Sequence, residues 1–237
     1  MRAEPTSRPV RACLVLATAA ALLTGGCDAL DGAQRVIGRA DLVNDLATRM
    51  DRATELTYVA EYQLPDGKTA TIAQAQEPPR AAYLYPGGRV TVTEEATAEC
   101  SGAGTAVTCT LTSPPTPAAR PAAGLFIDAG KHGLLAPAAV IGLLTAAALD
   151  ADAVIQQHDS TVAGRHVTCV TVERVENAAA AKFDACVTAE GVLGSFDGVV
   201  DGSPMEQTLI NYREKAEAAA FELPAGATIV DRRPAAK

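Results

Sequence analysis

Apolar and polar residues alternate with a period of two over much of this chain, and this alternation constrains the fold more than any other feature. In the clearest case, Tyr58, Tyr62 and Leu64 fall on one side of an extended segment, and Glu61 and Gln63 fall on the other. Such alternation predicts a β-strand with one buried face and one solvated face.

Similar segments follow one another, separated by short turns such as residues 65–67, where proline and glycine favour a tight reversal. The predicted strands are residues 57–64, 69–76, 81–85, 89–97, 105–111, 154–160, 166–175, 182–187, 192–199 and 205–212. Residues 89–97 are expected to pair with residues 105–111. Strands joined by such turns predict an antiparallel meander.

Two segments have helical spacing instead. In residues 41–52, the stripe that predicts a helix consists of Leu42, Val43, Leu46 and Met50. The second segment, residues 125–149, is an apolar insert between strands, and its Pro137 suits the first turn of a helix. Its positions with helical spacing are Leu134, Leu135, Ala138, Ile141, Leu144, Thr145 and Ala148. The order helix, sheet, insert, sheet predicts an α+β domain with helices against one face of a large antiparallel sheet.

The N-terminus predicts export and a lipid anchor. An apolar run from Ala12 to Leu23 follows several arginines and leads into Cys27 through small residues. The run is too short to cross a bilayer, which takes about 20 apolar residues. This order is typical of a bacterial lipoprotein signal, in which Cys27 becomes the first mature residue and carries the lipid. Two acyl chains on Cys27 would anchor the protein stably to the membrane.

A plain secretory signal, cut after one of residues 19–21, is the alternative, although that cut would fall inside the apolar run. The lipoprotein interpretation also has Thr24 where an aliphatic residue is usual. The predicted organisation is a signal peptide (1–26), a lipidated cysteine with a tether (27–39), one folded domain (40–230) and a C-terminal tail (231–237). The expected location is the extracytoplasmic face of the cell membrane.

Four cysteines remain in the predicted domain, and an even number in an exported protein implies two disulfides. Three pairings are possible. We favour Cys100–Cys109 and Cys169–Cys186, because each pair brackets a predicted hairpin turn. A zinc site is the alternative, but the chain has no C-x-x-C motif, and its histidines lie outside ligand-like spacing.

The remaining motifs argue against catalysis and nucleic-acid binding. The formal net charge is −8, and loss of the signal would remove three arginines and one glutamate, so no basic surface for nucleic acid is expected. The three histidines, His132, His158 and His166, stand alone in the sequence. Because neither a G-x-S-x-G elbow nor a phosphate loop occurs, we expect no enzyme activity, no cofactor and no metal.

Several segments in order along the chain resemble the LolA-like superfamily, including its actinobacterial LppX and LprG lipoproteins and its RseB-type stress sensors. They are the opening helix before residues 58–62, the strand at Pro78 and Pro79 with its turn at residues 85–88, the apolar insert, residues 161–165, and the ending at residues 221–227. This resemblance covers nearly the whole mature chain.

The resemblance implies an unclosed half-barrel whose concave face is covered by helices over an apolar cavity. It implies a membrane-anchored lipoprotein that binds or transfers lipid acyl chains. The insert positions named above would form part of the lid, and the floor would consist of Tyr58, Tyr62, Leu64 and Leu209. Two alternatives stay open: the same residues form a solid core, or the fold serves as a non-catalytic interaction or stress-sensor module with an envelope protein partner.

Overall fold

The structure is a computed structural model that describes residues 26–102, 106–115 and 123–234. The chain divides into two units, Met1–Gly38 and Arg39–Lys237, and apart from the bounds of one helix that begins at Gly26 the description below concerns the second. Residues 1–25 of the predicted signal segment lie outside the described residues, and so does the side chain of Cys27. Among the helices of the described ranges, none combines the length and the apolar character needed to cross a membrane.

In the part of the chain that the structure describes, twelve strands form one sheet. They are β1 (Tyr58–Gln63), β2 (Thr69–Gln76), β3 (Pro79–Tyr85), β4 (Gly88–Val92), β5 (Thr97–Ser101), β6 (Thr108–Thr112), β7 (Val154–Val162), β8 (Arg165–Glu173), β9 (Lys182–Thr188), β10 (Leu193–Val200), β11 (Ser203–Arg213) and β12 (Thr228–Asp231). Their order is β12-β6-β5-β4-β3-β2-β1-β11-β10-β9-β8-β7, so the sheet is open, with β12 and β7 at its ends. Every pairing is antiparallel except that of β12 with β6. The predicted open α+β half-barrel is confirmed.

The described ranges contain three α-helices: α1 (Gly26–Arg52), α2 (Ile127–Lys131) and α3 (Pro137–Leu149). Val43 and Leu46 of α1 and Val140 and Leu144 of α3 are fully buried in one core with the sheet. We call the side of the sheet that carries this core the helix face. The predicted helix over residues 41–52 is the C-terminal part of α1, which begins at Gly26, before the residues assigned to the tether.

The opposite side, the back face, is covered by the C-terminal segment rather than by a helix of the core. Phe221, in a 3-10 turn, packs there on small side chains, which are Val59, Ala73, Ala75 and Ala82. The guanidinium group of Arg80 lies 4.4 Å from the centre of the Phe221 ring. Arg89 donates hydrogen bonds to the backbone carbonyls of Ala220 and Glu222. These contacts hold the C-terminal segment on the sheet.

Both disulfides lie on the back face. The structure pairs Cys100 with Cys109 and Cys169 with Cys186, as the sequence analysis favours, and each pair joins directly opposed residues of neighbouring strands. Cys100 also lies opposite Arg89 in the register of β4 and β5, so the two side chains share a face. Each disulfide therefore links two adjacent strands covalently on the back face.

The prediction of one strand over residues 89–97, paired with residues 105–111, is wrong. The chain turns after β4, and β5 lies between β4 and β6. The hydroxyl oxygen of Thr93 accepts hydrogen bonds from the amides of Glu95 and Ala96, at 3.2 Å each. The amide of Thr93 donates to the carbonyl of Ala96 at 2.9 Å. A threonine side chain thus closes a turn that contains neither glycine nor proline.

The helical insert also differs from its prediction. Leu134 and Leu135 precede α3, outside any helix or strand, and the helix begins at Pro137. Ala136 is the N-cap residue and has an extended backbone, which ends the helical spacing on this side. The amide of Leu135 instead donates a hydrogen bond of 2.8 Å to Oε1 of the buried Gln207. At the other end of the chain, β12 has no counterpart among the predicted strands, and its last residue, Asp231, falls in the expected tail.

Candidate functional site

A cavity of about 140 Å³ lies on the helix face, between the end of α1, the insert and strands β1 to β3. The residues that line it are Met50, Asp51, Ala53, Thr54, Tyr58, Gln74, Tyr83, Phe126, Pro137, Ala138, Ile141, Gly191 and Val192. Most of these side chains are apolar, and they come from four separate parts of the chain. The cavity is therefore a product of the tertiary fold rather than of one motif.

Aromatic rings form much of the wall. The ring of Tyr83 meets that of Phe126 edge to face, with centroids 4.5 Å apart. Tyr58 stacks on Tyr212, with centroids 5.9 Å apart. Both arrangements are favourable for aromatic pairs. The first pair joins β3 to the insert, so one wall of the cavity is the contact between the sheet and its cover.

A short polar edge interrupts the apolar lining. Nε2 of Gln74 donates a hydrogen bond to the carbonyl of Thr54, and Nε2 of Gln76 donates to the same carbonyl at 3.0 Å. The hydroxyl of Thr54 donates to the carbonyl of Asp51 at 2.6 Å. These bonds fix the turn that follows α1 against β2. Most of the polar groups at this edge therefore hold the backbone of that turn in place.

Gly191 sets the distance between α1 and the turn that leads into β10. Its φ of +90° lies in the left-handed region, and a Cβ atom there would lie 1.9 Å from the carbonyl oxygen of Arg49. The amide of Gly191 donates to the carbonyl of Thr188 at 3.0 Å, and the amide of Val192 donates to the Thr188 hydroxyl at 3.1 Å. Only glycine allows this close approach, which places Val192 in the cavity wall.

The tyrosines of the helix face are neutral over the ordinary pH range. Burial raises the pKa of Tyr83 to about 12. Burial also raises the pKa of Tyr58, and the nearby Tyr62 and Tyr83 raise it further, since an ionised neighbour would repel a second phenolate. The pKa of Tyr62 rises for the same main reason. These hydroxyl groups can therefore act as hydrogen-bond donors.

Of the predicted ligand-contacting residues, the structure brings Tyr58, Ala138 and Ile141 together around the cavity. Thr145 is exposed, and its hydroxyl donates to the Ile141 carbonyl at 2.8 Å. Ala148 packs at the margin of the core. The others are buried in the core without lining the cavity; they are Leu134, Leu135, Leu144, Tyr62, Leu64 and Leu209.

Several lining residues escape the sequence analysis. Tyr83 and Gln74 lie on predicted strands, at positions that face the same side as Tyr58. Period-two alternation identifies that side of the sheet, and it is the sequence pattern from which Tyr83 and Gln74 could have been predicted. Met50 belongs to the apolar stripe of the first helix, a pattern that predicts a buried helix face and not a place in the site. Phe126 lies near the start of the predicted insert and Val192 at the start of the predicted strand 192–199, and neither pattern distinguishes a cavity residue from a core residue there.

A cluster of four potential metal ligands lies on the back face, but too few of them are free to bind a metal ion. Ligand atoms of His158, Cys169, Asp184 and Cys186 lie within 4.8 Å of one another. The two sulfur atoms are joined in a disulfide, so neither is a thiolate ligand. Nε2 of His158 lies 3.7 Å from Asp184, whose carboxylate accepts a hydrogen bond from Thr171 at 2.8 Å. A histidine and one shared carboxylate are too few for a structural zinc site.

A second cavity, of about 250 Å³, lies near the edge of the back face between β4, β5 and the C-terminal segment. Arg89 lines it, but two of its nitrogen atoms already donate to backbone carbonyls. The Nε atom of Arg89 is buried, and no described residue is its hydrogen-bond partner. The arginine thus serves as a clamp for the C-terminal segment.

Fold and site together define an α+β protein with an open antiparallel sheet and a small apolar cavity beneath its helices. No protein-family model matches the chain, and no curated protein sequence matches it. Similar solved structures include an uncharacterized conserved protein from Thermus thermophilus, with 10% identity over 80% of this chain and 98% of that chain, at a TM-score of 0.46.

MucB is also similar, with 13% identity over 79% of this chain and 65% of that chain, at a TM-score of 0.48. The structure of MucB in complex with MucA(peri) gives 15% identity over 79% of this chain and 62% of that chain, at a TM-score of 0.46. The chain thus spans less than two thirds of MucB in both comparisons.

Proposed function

We propose that this chain is an exported, lipid-anchored protein of the cell envelope that binds an acyl chain of a lipid between its insert and its sheet. The observation that carries the proposal is the apolar cavity, whose walls include Met50, Phe126, Ile141 and Val192. An acyl chain gains about 0.8 kcal/mol for each methylene group that leaves water, so a dry apolar site is sufficient for binding. No charged group is needed for that step.

The size of the cavity limits what it holds. Its volume of about 140 Å³ is close to that of an engineered cavity of roughly 150 Å³ that binds benzene. It is smaller than the roughly 300–1,000 Å³ of pockets for drug-sized ligands. One end or one short stretch of an acyl chain fits, whereas a complete two-chain lipid requires the insert to move.

The insert is suited to such movement because few directional bonds hold it. Within the described part of the chain, one hydrogen bond joins the insert to the sheet, from the Leu135 amide to Gln207. The other polar atom of that Gln207 side chain, Nε2, is buried and has no partner among the described residues. Apolar packing, with Val140 and Leu144 fully buried, and the ring contact of Phe126 with Tyr83 supply further contact. Apolar contacts are non-directional, so α3 can shift while it keeps most of its buried area.

The anchoring part of the proposal is based on the sequence around Cys27. Its test is the substitution Cys27→Ser in a bacterial host that processes lipoproteins. We expect the wild-type chain in the membrane fraction and the variant in the soluble fraction. Tight membrane attachment of the variant would contradict the anchor.

The binding part is tested by native mass spectrometry of the domain from Asp28 onward, after expression in a bacterial envelope, followed by solvent extraction. We expect a near-stoichiometric glycerolipid or glycolipid. A clean apo mass, together with no uptake of added lipid, would overturn the proposal. In that case a search for a protein partner in the envelope becomes the next step.

A further inference from the structure

Two tyrosine hydroxyl groups at the cavity have no hydrogen-bond partner in the described ranges. Tyr58 is only 3% exposed and Tyr83 only 8% exposed, and both line the cavity. Neither hydroxyl oxygen is among the fully buried polar atoms that lack a partner in the described ranges, so both keep accessible surface from which they can donate a hydrogen bond. Since the described protein groups supply no acceptor for these hydroxyl groups, we expect a bound molecule or water to supply it.

The two hydroxyl groups belong to one local arrangement. Tyr58 of β1 lies opposite Gln74 of β2, and Gln74 lies opposite Ala81 of β3, two residues before Tyr83. All these side chains except that of Ala81 line the cavity. Each tyrosine is protonated at neutral pH, because burial raises its pKa, and it therefore offers a hydrogen to an acceptor.

The charges of the residues that line the cavity determine which kind of hydrogen-bond acceptor it can hold. The lining residues that the structure describes include no lysine, arginine or histidine, and they do include the acidic Asp51. A carboxylate in this place would have no cation to balance it and would lose its hydration. A neutral carbonyl oxygen accepts two hydrogen bonds without that cost.

We propose that Tyr58 and Tyr83 donate hydrogen bonds to the carbonyl oxygen of an acyl ester, so that the site distinguishes esters from ethers and from free fatty acids. This inference rests on the proposed function, because it assumes that an acyl chain occupies the cavity. It adds the chemical class of the group that joins the chain to the rest of the ligand. Hydrocarbon alone would leave both hydroxyl groups unpaired.

A matched pair of ligands tests the inference. The probes are 1-palmitoylglycerol and 1-O-hexadecylglycerol, which differ in the carbonyl group, and their binding is measured by displacement of a fluorescent apolar dye from the mature chain. We expect the ester to bind at least about tenfold more tightly than the ether, since one good hydrogen bond is worth roughly that factor. Palmitate at pH 8 is expected to bind more weakly than the ester.

The variant with both Tyr58→Phe and Tyr83→Phe should bind the ester and the ether equally. Tyr85→Phe is the matched control, because Tyr85 lies on the same strand as Tyr83, is also 8% exposed and does not line this cavity. The control should keep the preference for the ester. Thermal unfolding distinguishes a role in binding from a role in stability. If the hydroxyl groups have no partner in the free protein, the double variant should melt at the wild-type temperature or above it.

Three results would overturn the inference. Equal binding of ester and ether by the wild type would do so while leaving acyl binding intact. A lower melting temperature of the double variant would show that the hydroxyl groups are already satisfied in the free protein, for instance by ordered water. Binding of neither ligand would overturn the proposed function, and the inference with it.

Discussion

The two faces of the sheet are held by different kinds of interaction. On the back face, two disulfides clamp neighbouring strands, and Arg80 and Arg89 fix the C-terminal segment through a ring contact and hydrogen bonds. On the helix face, the insert is held by apolar packing and by the bond from Leu135 to Gln207. Directional and covalent bonds fix one geometry, whereas apolar packing tolerates sliding. The sheet thus has a rigid back and an adjustable cover, and the cavity lies under the cover.

Removal of a back-face disulfide should have the largest effect on stability. The pair Cys169→Ala and Cys186→Ala opens a loop with a sequence separation of 17. The free energy of unfolding should fall by about 3 kcal/mol by the chain-entropy estimate. Urea unfolding measures this loss. Ligand binding at 25 °C should persist, since the cavity is on the other face; loss of binding in a still-folded variant would contradict the separation of the two faces.

High pH should weaken the helix face. An unfolded tyrosine ionises near pH 10, whereas Tyr83 in the folded protein ionises near pH 12 because burial raises its pKa to about 12. The unfolded chain therefore loses its proton first, and stability falls as pH rises from about 10 to about 12, by about 2–3 kcal/mol for this residue. Below pH 9 this group causes no change.

Urea unfolding at several pH values, for the wild type and for Tyr83→Phe, measures this contribution. The variant should lose less stability between pH 10 and pH 12 than the wild type does. Parallel pH profiles for the two proteins would show that the hydroxyl of Tyr83 is not protected by burial.

Filling the cavity should separate binding from stability. Ile141→Trp places a larger side chain in the cavity wall, so binding of an acyl ligand should weaken by about tenfold or more, which corresponds to about 1.4 kcal/mol. Leu149→Trp is the control, because Leu149 lies at the end of the same helix and is 83% exposed. If Ile141→Trp lowers the melting temperature strongly and leaves binding unchanged, Ile141 is ordinary core.

The ring contact on the back face should have the smallest effect. Arg80→Leu keeps an apolar contact with Phe221 but removes the charge above its ring, and the expected loss of stability is about 0.5–1 kcal/mol. Arg232→Leu, at an exposed position, should change stability by less. Urea unfolding measures both effects. Equal losses of stability for the two substitutions would show that the contact between Arg80 and Phe221 does not stabilise the back face.

Local patterns predict much of the sheet. Strand β2 has the predicted bounds, and the turns around Gly67 and Gly164 fall where glycine and proline place them. The turn at Thr93 escapes prediction because its hydroxyl group, not a special backbone residue, closes it. Strand β12 escapes prediction because a four-residue strand gains its stability from β6, far away in the sequence.

The site is harder to predict than the fold, for a physical reason. Helical spacing identifies which residues of α3 are apolar, and it does not distinguish Ile141 at the cavity from Leu144 in the solid core. That difference depends on how closely the helix approaches the sheet. Gly191 controls part of the cavity's geometry through its contact with α1, and in the sequence it looks like any turn glycine.

The pairing of β1 with β11 has a consequence for how the chain reaches its final state. Val59 pairs with Arg213, so the middle of the sheet joins segments from opposite ends of the domain. Until β11 has been made, β1 to β6 and β7 to β10 are two separate sheets, each with additional open edges. Contacts so distant in sequence make folding slow, and open edges attract other strands. A newly made chain therefore passes through an interval in which it is most exposed to aggregation.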